Sequence, residues 1–134
     1  MPHIIVECSD NLARLVPLDG VVRSLHEAAL ATGVFPPGGT RTRVHVSRHY
    51  RIADGNPQHV FIHVQMRIAR GRDVATRKRA AEQVFSALRR AMAPAEAATT
   101  VALSLEIAEI DSDTEQRFNT IHKYMETRPA TGTD

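Results

Sequence analysis

Cysteine, aromatic residues and long apolar runs are scarce in this sequence, and each scarcity excludes a class of protein. Cys8 is the only cysteine, so one chain can form neither a disulfide framework nor a thiolate-rich zinc site, and we expect a reducing, cytoplasmic location. Four Phe, two Tyr and no Trp leave little for a base-stacking surface that binds single-stranded nucleic acid. No apolar run approaches the roughly 20 residues that cross a bilayer, so we predict no membrane association.

The remaining composition is that of a globular domain. The 134 residues are 43% hydrophobic and 24% charged, which favours one aliphatic core and excludes a disordered or low-complexity chain. Seventeen basic and fifteen acidic side chains give a net charge of only +2. This small excess is a mild bias toward anionic ligands and does not by itself indicate nucleic-acid binding.

The first half of the chain predicts a strand, a helix and a strand. His3 to Glu7 is a β-branched apolar run close to the amino terminus. Asp19 to Thr32 has helical periodicity, with Asp19 as its N-cap and Gly33 as its end. Thr40 to Ser47 then alternates and predicts a strand with one polar, basic face.

The second half repeats this order after a turn at 54–57. Val60 to Ile68 alternates apolar and polar residues and predicts a strand. Asp73 is a suitable cap for a helix that runs to about Met92 and is ended by Pro94. Thr100 to Ile107 predicts the last strand.

Two such units, at about residues 2–48 and 60–107, indicate an internal duplication. Right-handed crossovers make each β-α-β unit a parallel strand pair, so we predict an α+β fold with a four-stranded sheet and both helices on one face. The other face is bare and carries Phe61, His63 and Gln65. We expect further subunits of a closed oligomer to cover this face.

The carboxyl-terminal region is predicted to close the domain with one short helix. Asp113 to Tyr124 has the pattern of such a helix, so we place a single domain at residues 1–125. Residues 126–134 are then predicted to form a flexible tail.

Histidine is abundant enough to raise the possibility of a metal site. The pairs His45/His49 and His59/His63 have the four-residue spacing that chelates a metal on a helix. On a strand, however, four residues span about 13 Å, which is too far for two ligands of one ion. We therefore predict no metal site.

Arginines form a second cluster, whose members are Arg67, Arg70, Arg72, Arg77, Arg79, Arg89 and Arg90. Those on the second helix interleave with its apolar stripe, as a solvated face does, so the pattern does not favour binding to a phosphate backbone. Arg41, Arg43 and Arg72 differ, because each follows a glycine-containing turn or begins a strand. A guanidinium there can bind a small carboxylate in bidentate geometry.

Pro2 follows the initiator methionine, and removal of that methionine by an aminopeptidase gives a secondary amine at the tip of the first strand. A free α-amine titrates near roughly 8 and a cyclic secondary amine is more basic, so a base at neutral pH needs burial and cationic neighbours. Nearby arginines would supply both that effect and stabilisation of a developing enolate. Taken alone, Pro2 is more readily explained as an incidental residue than as a catalytic base.

Several motifs together resemble one family. They are Pro2-His3-Ile4-Ile5-Val6-Glu7-Cys8-Ser9-Asp10-Asn11, Thr32-Gly33-Val34-Phe35-Pro36, Arg41-Thr42-Arg43-Val44-His45, Ala53-Asp54-Gly55, Leu103-Ser104-Leu105-Glu106-Ile107 and Phe118-Asn119. As a set they resemble the 5-carboxymethyl-2-hydroxymuconate isomerase family of the tautomerase superfamily. The resemblance extends over roughly Pro2 to Tyr124.

The resemblance implies a tautomerase fold, a homotrimer and an isomerase that works without a cofactor or metal. The expected reaction converts 5-carboxymethyl-2-hydroxymuconate, a dienol polycarboxylate, to its 2-oxo-hexenedioate tautomer during homoprotocatechuate degradation. By position, Pro2 would transfer the proton, and Arg41 would hold a substrate carboxylate or the 2-oxo oxygen. Arg72 and Arg43 are further candidates for binding another carboxylate.

Two positions depart from the family pattern. Arg70 stands in the segment Ala69-Arg70-Gly71-Arg72 where a small residue is usual, and Val46 stands where an aromatic residue is expected. Both differences bear on the choice of substrate and leave the proton chemistry untouched.

Three other functions stay open at this point. A hydratase or dehalogenase of a small unsaturated acid would combine Pro2 with a water-activating partner, for which Glu7, Glu106 and Tyr50 are available. A non-catalytic oligomeric binding protein would keep the trimer without the chemistry. A retained Met1 would favour that function, because the nitrogen of Pro2 would then be an amide. Nucleic-acid binding would show a steep dependence on salt.

Overall fold

The computed structural model describes residues 1–128. In chain order its elements are β1 (His3–Ser9), a 3-10 turn (Asp10–Arg14), α1 (Leu18–Ala31), a second 3-10 turn (Pro37–Gly39), β2 (Arg41–Ser47), β3 (Val60–Ala69), α2 (Val74–Ala91), α3 (Ala93–Ala98), β4 (Val101–Ile110) and α4 (Ile121–Thr127).

The four strands form one mixed sheet in the order β2-β1-β3-β4. β1 pairs in parallel with β2, and β3 pairs in parallel with β4, as the β-α-β crossovers predict. The two parallel pairs meet where β1 runs antiparallel to β3. α1 and α2 pack against each other, α1 next to β2 and α2 next to β4. The predicted α+β fold of two β-α-β units is confirmed.

The hydrophobic core lies between the sheet and these helices. Every second residue of the two central strands is fully buried there, and these residues are Ile4, Val6, Cys8, Ile62, Val64, Met66 and Ile68. The helices contribute the buried residues Leu25, Ala29, Val84 and Leu88. Full burial of a large aliphatic side chain contributes about 1.5–3 kcal/mol, so this one face supplies most of the apolar stabilisation.

Of the two predicted N-cap residues, one is confirmed and one is wrong. Asp73 caps α2 as predicted, because its carboxylate accepts a hydrogen bond of 2.8 Å from the backbone N–H of Thr76. The prediction that Asp19 caps α1 is wrong. α1 begins one residue earlier, at Leu18, and follows Pro17, whose ring sets a φ of −74° that suits the helix entry, so Asp19 lies inside the first turn.

α2 ends at Ala91, within one residue of the predicted Met92, but the role of Pro94 and the start of the closing helix differ from the prediction. Pro94 lies in the first turn of α3, where proline is tolerated because the N–H it lacks has no helical partner. The closing helix begins only at Ile121 instead of Asp113. Asp111 and Asn119 cause this delay, since each side chain accepts from the backbone N–H two residues ahead and so favours a turn over a helix.

The predicted tail at 126–134 begins too early, because Glu126 and Thr127 still belong to α4. Residues 129–134 lie outside the described part of the chain. Within residues 1–128, none of the helices has the length and apolar character required to pass through a membrane.

Candidate active site

The first strand places Pro2 at one end of the sheet, beside the start of β2. The Pro2 side chain is buried, and its carbonyl oxygen accepts a hydrogen bond of 3.1 Å from the backbone N–H of Arg41. This bond extends the parallel β1–β2 ladder to the amino terminus. Pro2 and Arg41 are therefore held next to each other by backbone, independently of their side chains.

A cavity of about 350 Å³ opens at this end of the sheet. It is lined by Met1, His3, Arg41, Arg67, Ile110, Glu115, Gln116, Arg117 and Phe118. Three of these side chains are guanidinium groups and one is a carboxylate, so the cavity is net positive. A second cavity of about 450 Å³ shares Met1, Arg117 and Phe118 with the first, so the two adjoin at the amino terminus. The charge and size suit a small polycarboxylate.

The strand register explains why these residues converge. His3 stands opposite Arg41 in the parallel pair and opposite Arg67 in the antiparallel pair. Paired residues on neighbouring strands point to the same face, so all three project from the face that the helices leave bare. The neighbours Ile4 and Met66 point the other way and are buried in the core.

His3 is enclosed by arginines. Its Nε2 lies 2.9 Å from Nη2 of Arg41, and its Nδ1 lies 3.2 Å from Nη1 of Arg43. Partial burial and then the charges of Arg41, Arg43, the terminal amine and Arg67 hold the pKa of His3 below its ordinary value of 6.5. The imidazole is therefore neutral at pH 7.

The terminal amine experiences the same environment. Burial lowers the pKa of the Met1 amine below its ordinary value of 8.0, and the charges of Arg117, Arg41 and Arg72 add to that effect, whereas Glu115 opposes it. In a chain that lacks Met1, the amine of Pro2 would lie one residue further into the same surroundings. This end of the molecule thus favours an uncharged amine.

The segment that follows β4 covers the amino terminus. The side-chain amide of Asn119 donates to Sδ of Met1 at 3.0 Å and to the carbonyl of Gly38 at 2.9 Å. His122 packs so tightly on Gly38 that a Cβ there would lie 2.6 Å from its Nδ1. A glycine is needed at position 38 for α4 to approach the second 3-10 turn.

The three arginines singled out from the sequence occupy different places. Arg41 lines the cavity, and its buried Nε has no hydrogen-bond partner among residues 1–128. Arg43 approaches the cavity through His3. Arg72 donates to the carbonyls of Ala69 and Val34, and its guanidinium lies 5.3 Å from the ring centre of Phe35. Arg72 thus lines neither of the two cavities at the amino terminus and is held by backbone carbonyls and an aromatic ring.

Other candidate residues lie away from this end. Tyr50 donates to Asp10, beyond the far end of β1, and Glu106 accepts from Gln65 in the middle of the bare face. Their distance from Pro2 within the subunit offers no support for a water-activating pair. His59 and His63 have hydroxyl and carboxylate partners, and residues 1–128 contain no group of three or more His, Cys, Asp or Glu that could hold a metal ion.

Four ionisable side chains that line the cavity were not predicted from the sequence as site residues. His3 and Arg67 could have been found by applying the antiparallel register to the alternating strands, because both stand on the polar side of the alternation. Glu115 and Arg117 lie in a segment without periodicity, and no local signal places such a segment over the amino terminus.

Comparison with known proteins finds relatives of one family that match nearly the whole chain. A family model described as 5-carboxymethyl-2-hydroxymuconate isomerase matches residues 2–125. A 5-carboxymethyl-2-hydroxymuconate Delta-isomerase from Escherichia coli is 34% identical over 122 residues, which are 91% of this chain and 97% of that protein.

Solved structures give the same result. A crystal structure of a 5-carboxymethyl-2-hydroxymuconate delta-isomerase has a TM-score of 0.88 and 30% identity, covering 96% of this chain and 95% of that one. The 5-carboxymethyl-2-hydroxymuconate isomerase of Deinococcus radiodurans R1 has a TM-score of 0.86 and 29% identity, covering 92% and 93%. A fused 4-OT symmetric trimer, with a TM-score of 0.59 and 14% identity over 80% and 85%, shares the fold alone.

Proposed function

Because the chain belongs to the 5-carboxymethyl-2-hydroxymuconate isomerase family, we propose that the cavity at its amino terminus is the active site and that Pro2 is the base. The chain is a cofactor-independent isomerase of the tautomerase type. The proposed substrate is 5-carboxymethyl-2-hydroxymuconate. The observation that carries the proposal is the enclosure of the amino terminus by Arg41, Arg67 and Arg117 in a cavity of suitable size.

The proposed reaction moves protons only. The enol oxygen of the substrate loses its proton and becomes a carbonyl oxygen, and a proton is added to a carbon of the conjugated chain, so no redox partner is required. The amine of Pro2 takes up and returns the proton. A secondary amine can do so only if Met1 has been removed, since the nitrogen is otherwise an amide.

The surroundings of Pro2 support this role through its pKa. The burial and arginine charges that lower the pKa of the Met1 amine would act on the Pro2 amine as well. An amine with a pKa near the working pH is the most effective proton carrier, because both of its forms are then populated.

We propose that Arg41 stabilises the negative charge that develops on the substrate. Its guanidinium lines the cavity, its position beside Pro2 is set by a backbone hydrogen bond, and its buried Nε has no partner among residues 1–128. Preorganised donors of this kind act where charge appears in the transition state.

Arg72 and Arg43 are proposed to bind a second carboxylate. Arg72 lines neither cavity at the amino terminus, and the support for its role is that its charge helps to lower the pKa of the Met1 amine. Two of its nitrogens already donate to backbone carbonyls, so we expect Arg72→Gln to raise KM several-fold and also to lower the unfolding temperature. Steady-state kinetics and thermal unfolding measure the two effects separately.

The experiment combines intact-protein mass spectrometry with an ultraviolet assay of substrate ketonisation. We expect a chain without Met1, a loss of about 100-fold to 10,000-fold in kcat/KM for Pro2→Ala, and a loss of about 100-fold to 1,000-fold for Arg41→Ala. Arg79→Ala is the matched control, because Arg79 is an exposed arginine on α2. A processed chain whose activity is indifferent to Pro2 would overturn the proposal.

We further propose a homotrimer whose subunit is a single domain that extends from residue 1 to the end of α4 at Thr127, two residues beyond the predicted boundary at 125. The bare sheet face and the 91% exposure of Phe118 beside the cavity support it, because both leave surface for a second subunit to cover. Light scattering should give three times the 14.8 kDa of one chain, and the mass of a single chain would contradict this. The single buried cysteine supports a cytoplasmic location.

A further inference from the structure

We propose that His3 is a positioning residue that aims the guanidinium of Arg41 into the cavity by accepting its hydrogen bond. This inference deepens the proposed function and rests on it, because it gives Arg41 the role described above. It adds a side chain that no sequence motif marks as catalytic. His3 lines the cavity between the strands that carry Arg41 and Arg67.

The contacts of His3 are the first support. Nη2 of Arg41 lies 2.9 Å from Nε2 of His3, and Nη1 of Arg43 lies 3.2 Å from Nδ1. Both guanidinium groups therefore reach the same imidazole ring, one at each nitrogen. No carboxylate is within 4.0 Å of either guanidinium among residues 1–128, and His3 is the side chain within hydrogen-bond distance of both.

The chemistry of the two groups makes these contacts unequal. Arginine has only donors, and a neutral imidazole has one acceptor nitrogen while the other carries a proton. His3 can thus accept from Arg41 or from Arg43, and the shorter distance assigns the acceptor to Nε2 and the hydrogen bond to Arg41. The proton on Nδ1 then faces another donor on Arg43. Nη1 of Arg43 therefore has no acceptor on His3.

Electrostatics keep His3 in the form that can accept. Partial burial and the surrounding guanidinium charges disfavour the imidazolium, which would have no acceptor at all. A charged side chain could not replace His3 without either repelling Arg41 or neutralising it. A neutral acceptor orients Arg41 and leaves its full positive charge for the substrate.

Two isosteric substitutions separate the two contacts. The side-chain oxygen of His3→Gln reaches about the position of Nε2, and that of His3→Asn reaches about the position of Nδ1. We expect His3→Gln to keep kcat/KM within about tenfold of the wild type, whereas His3→Asn and His3→Leu lose about 10-fold to 100-fold, the range for one hydrogen bond to a charged group. Equal activity of the Gln and Asn variants would overturn the inference.

A double-mutant cycle distinguishes positioning from a general structural role. If His3 acts through Arg41, then His3→Leu should cost nothing further in a chain that already carries Arg41→Ala. Losses that multiply would show that His3 acts independently and would overturn the inference. If Arg41→Ala alone retains full activity, the proposed function of Arg41 fails instead. Should His3→Leu not fold, the cycle is run with His3→Asn, whose thermal unfolding is recorded alongside.

Discussion

The two faces of the sheet are built from the same strands and have opposite compositions. On the face toward α1 and α2, Ile4, Val6, Val64 and Met66 are completely buried. On the opposite face the adjacent positions are His3, Glu7, Gln65 and Arg67, and all of these keep some contact with solvent. Because side chains alternate along a strand, each strand contributes to stability with one set of residues and to the site with the other.

Because stability and the site depend on opposite faces, a substitution on one face should leave the property that depends on the other face unchanged. The packed face has no charged group among its buried residues, and the amino end of the bare face collects at least three guanidinium groups. A substitution toward the helices is expected to change the free energy of unfolding with little effect on kcat. A substitution at the amino end of the bare face is expected to do the reverse.

The largest effect is expected from an alanine inserted between Met1 and Pro2. Removal of Met1 then leaves alanine as the terminal residue, so the nitrogen of Pro2 becomes an amide while every other side chain is retained. We expect kcat/KM to fall by about 100-fold to 10,000-fold, the contribution of a positioned proton carrier, with an unchanged unfolding temperature. Retained activity in a chain of the expected mass would contradict the role of Pro2.

A large loss of stability with little loss of activity is expected from Met66→Ala on the packed face. Met66 has no exposed surface, and truncating such a residue costs about 2–5 kcal/mol through lost contacts and a residual cavity. Denaturant titration measures this loss, and kcat per folded molecule should stay within about twofold of the wild type. A large fall in kcat would contradict the assignment of stability to the packed face and of activity to the bare face.

A smaller effect is expected from Arg67→Ala, one residue along the same strand. Arg67 is exposed and lines the cavity, so it contributes a charge to the site and little to packing. We expect KM to rise by about tenfold, the lower range for one hydrogen bond to a charged group, with the free energy of unfolding nearly unchanged. The neighbouring Met66→Ala variant is the matched control. If Arg67→Ala lost stability without a change in KM, Arg67 would belong to the packing of the domain and not to the site.

The smallest effect is expected in the pH dependence of stability. His3 has a lower pKa in the folded chain than its ordinary 6.5, because of burial and the charges of Arg41, Arg43, the terminal amine and Arg67. Between that lowered pKa and 6.5 the unfolded chain binds more protons, so the free energy of unfolding should fall as the pH drops through this window. Denaturant titrations from pH 7 to pH 5 should show a shallower slope for His3→Gln, and an identical slope would contradict the assigned pKa direction.

The sequence predicted the sheet well because strands and helices differ in period. The alternation from Val60 to Ile68 and the cap at Asp73 both appear in the structure within a residue of their expected places. The late start of α4 was missed, because the Asn119 side chain competes locally with the helix. That competition is not visible in hydrophobic periodicity.

The candidate site was predictable only where a motif or a strand end marked it. Pro2 and Arg41 stand at strand starts, and the parallel register brings them together. His3 was hidden inside the first strand, and its partners follow from the register of two different strands. Glu115 and Arg117 reach the cavity through a tertiary contact of a segment without repeating pattern, which local sequence does not specify.

The role of Pro2 as the base is tested most directly by titrating the Pro2 nitrogen by NMR in ¹⁵N-labelled protein that lacks Met1. We expect the amine to titrate below the ordinary range of a cyclic secondary amine, which lies above the roughly 8 of a primary α-amine, because it is partly buried and faces arginines. The pKa should rise when Arg41 is replaced by alanine. A pKa at or above the ordinary range that does not respond to Arg41→Ala would contradict the assignment of Pro2 as the base.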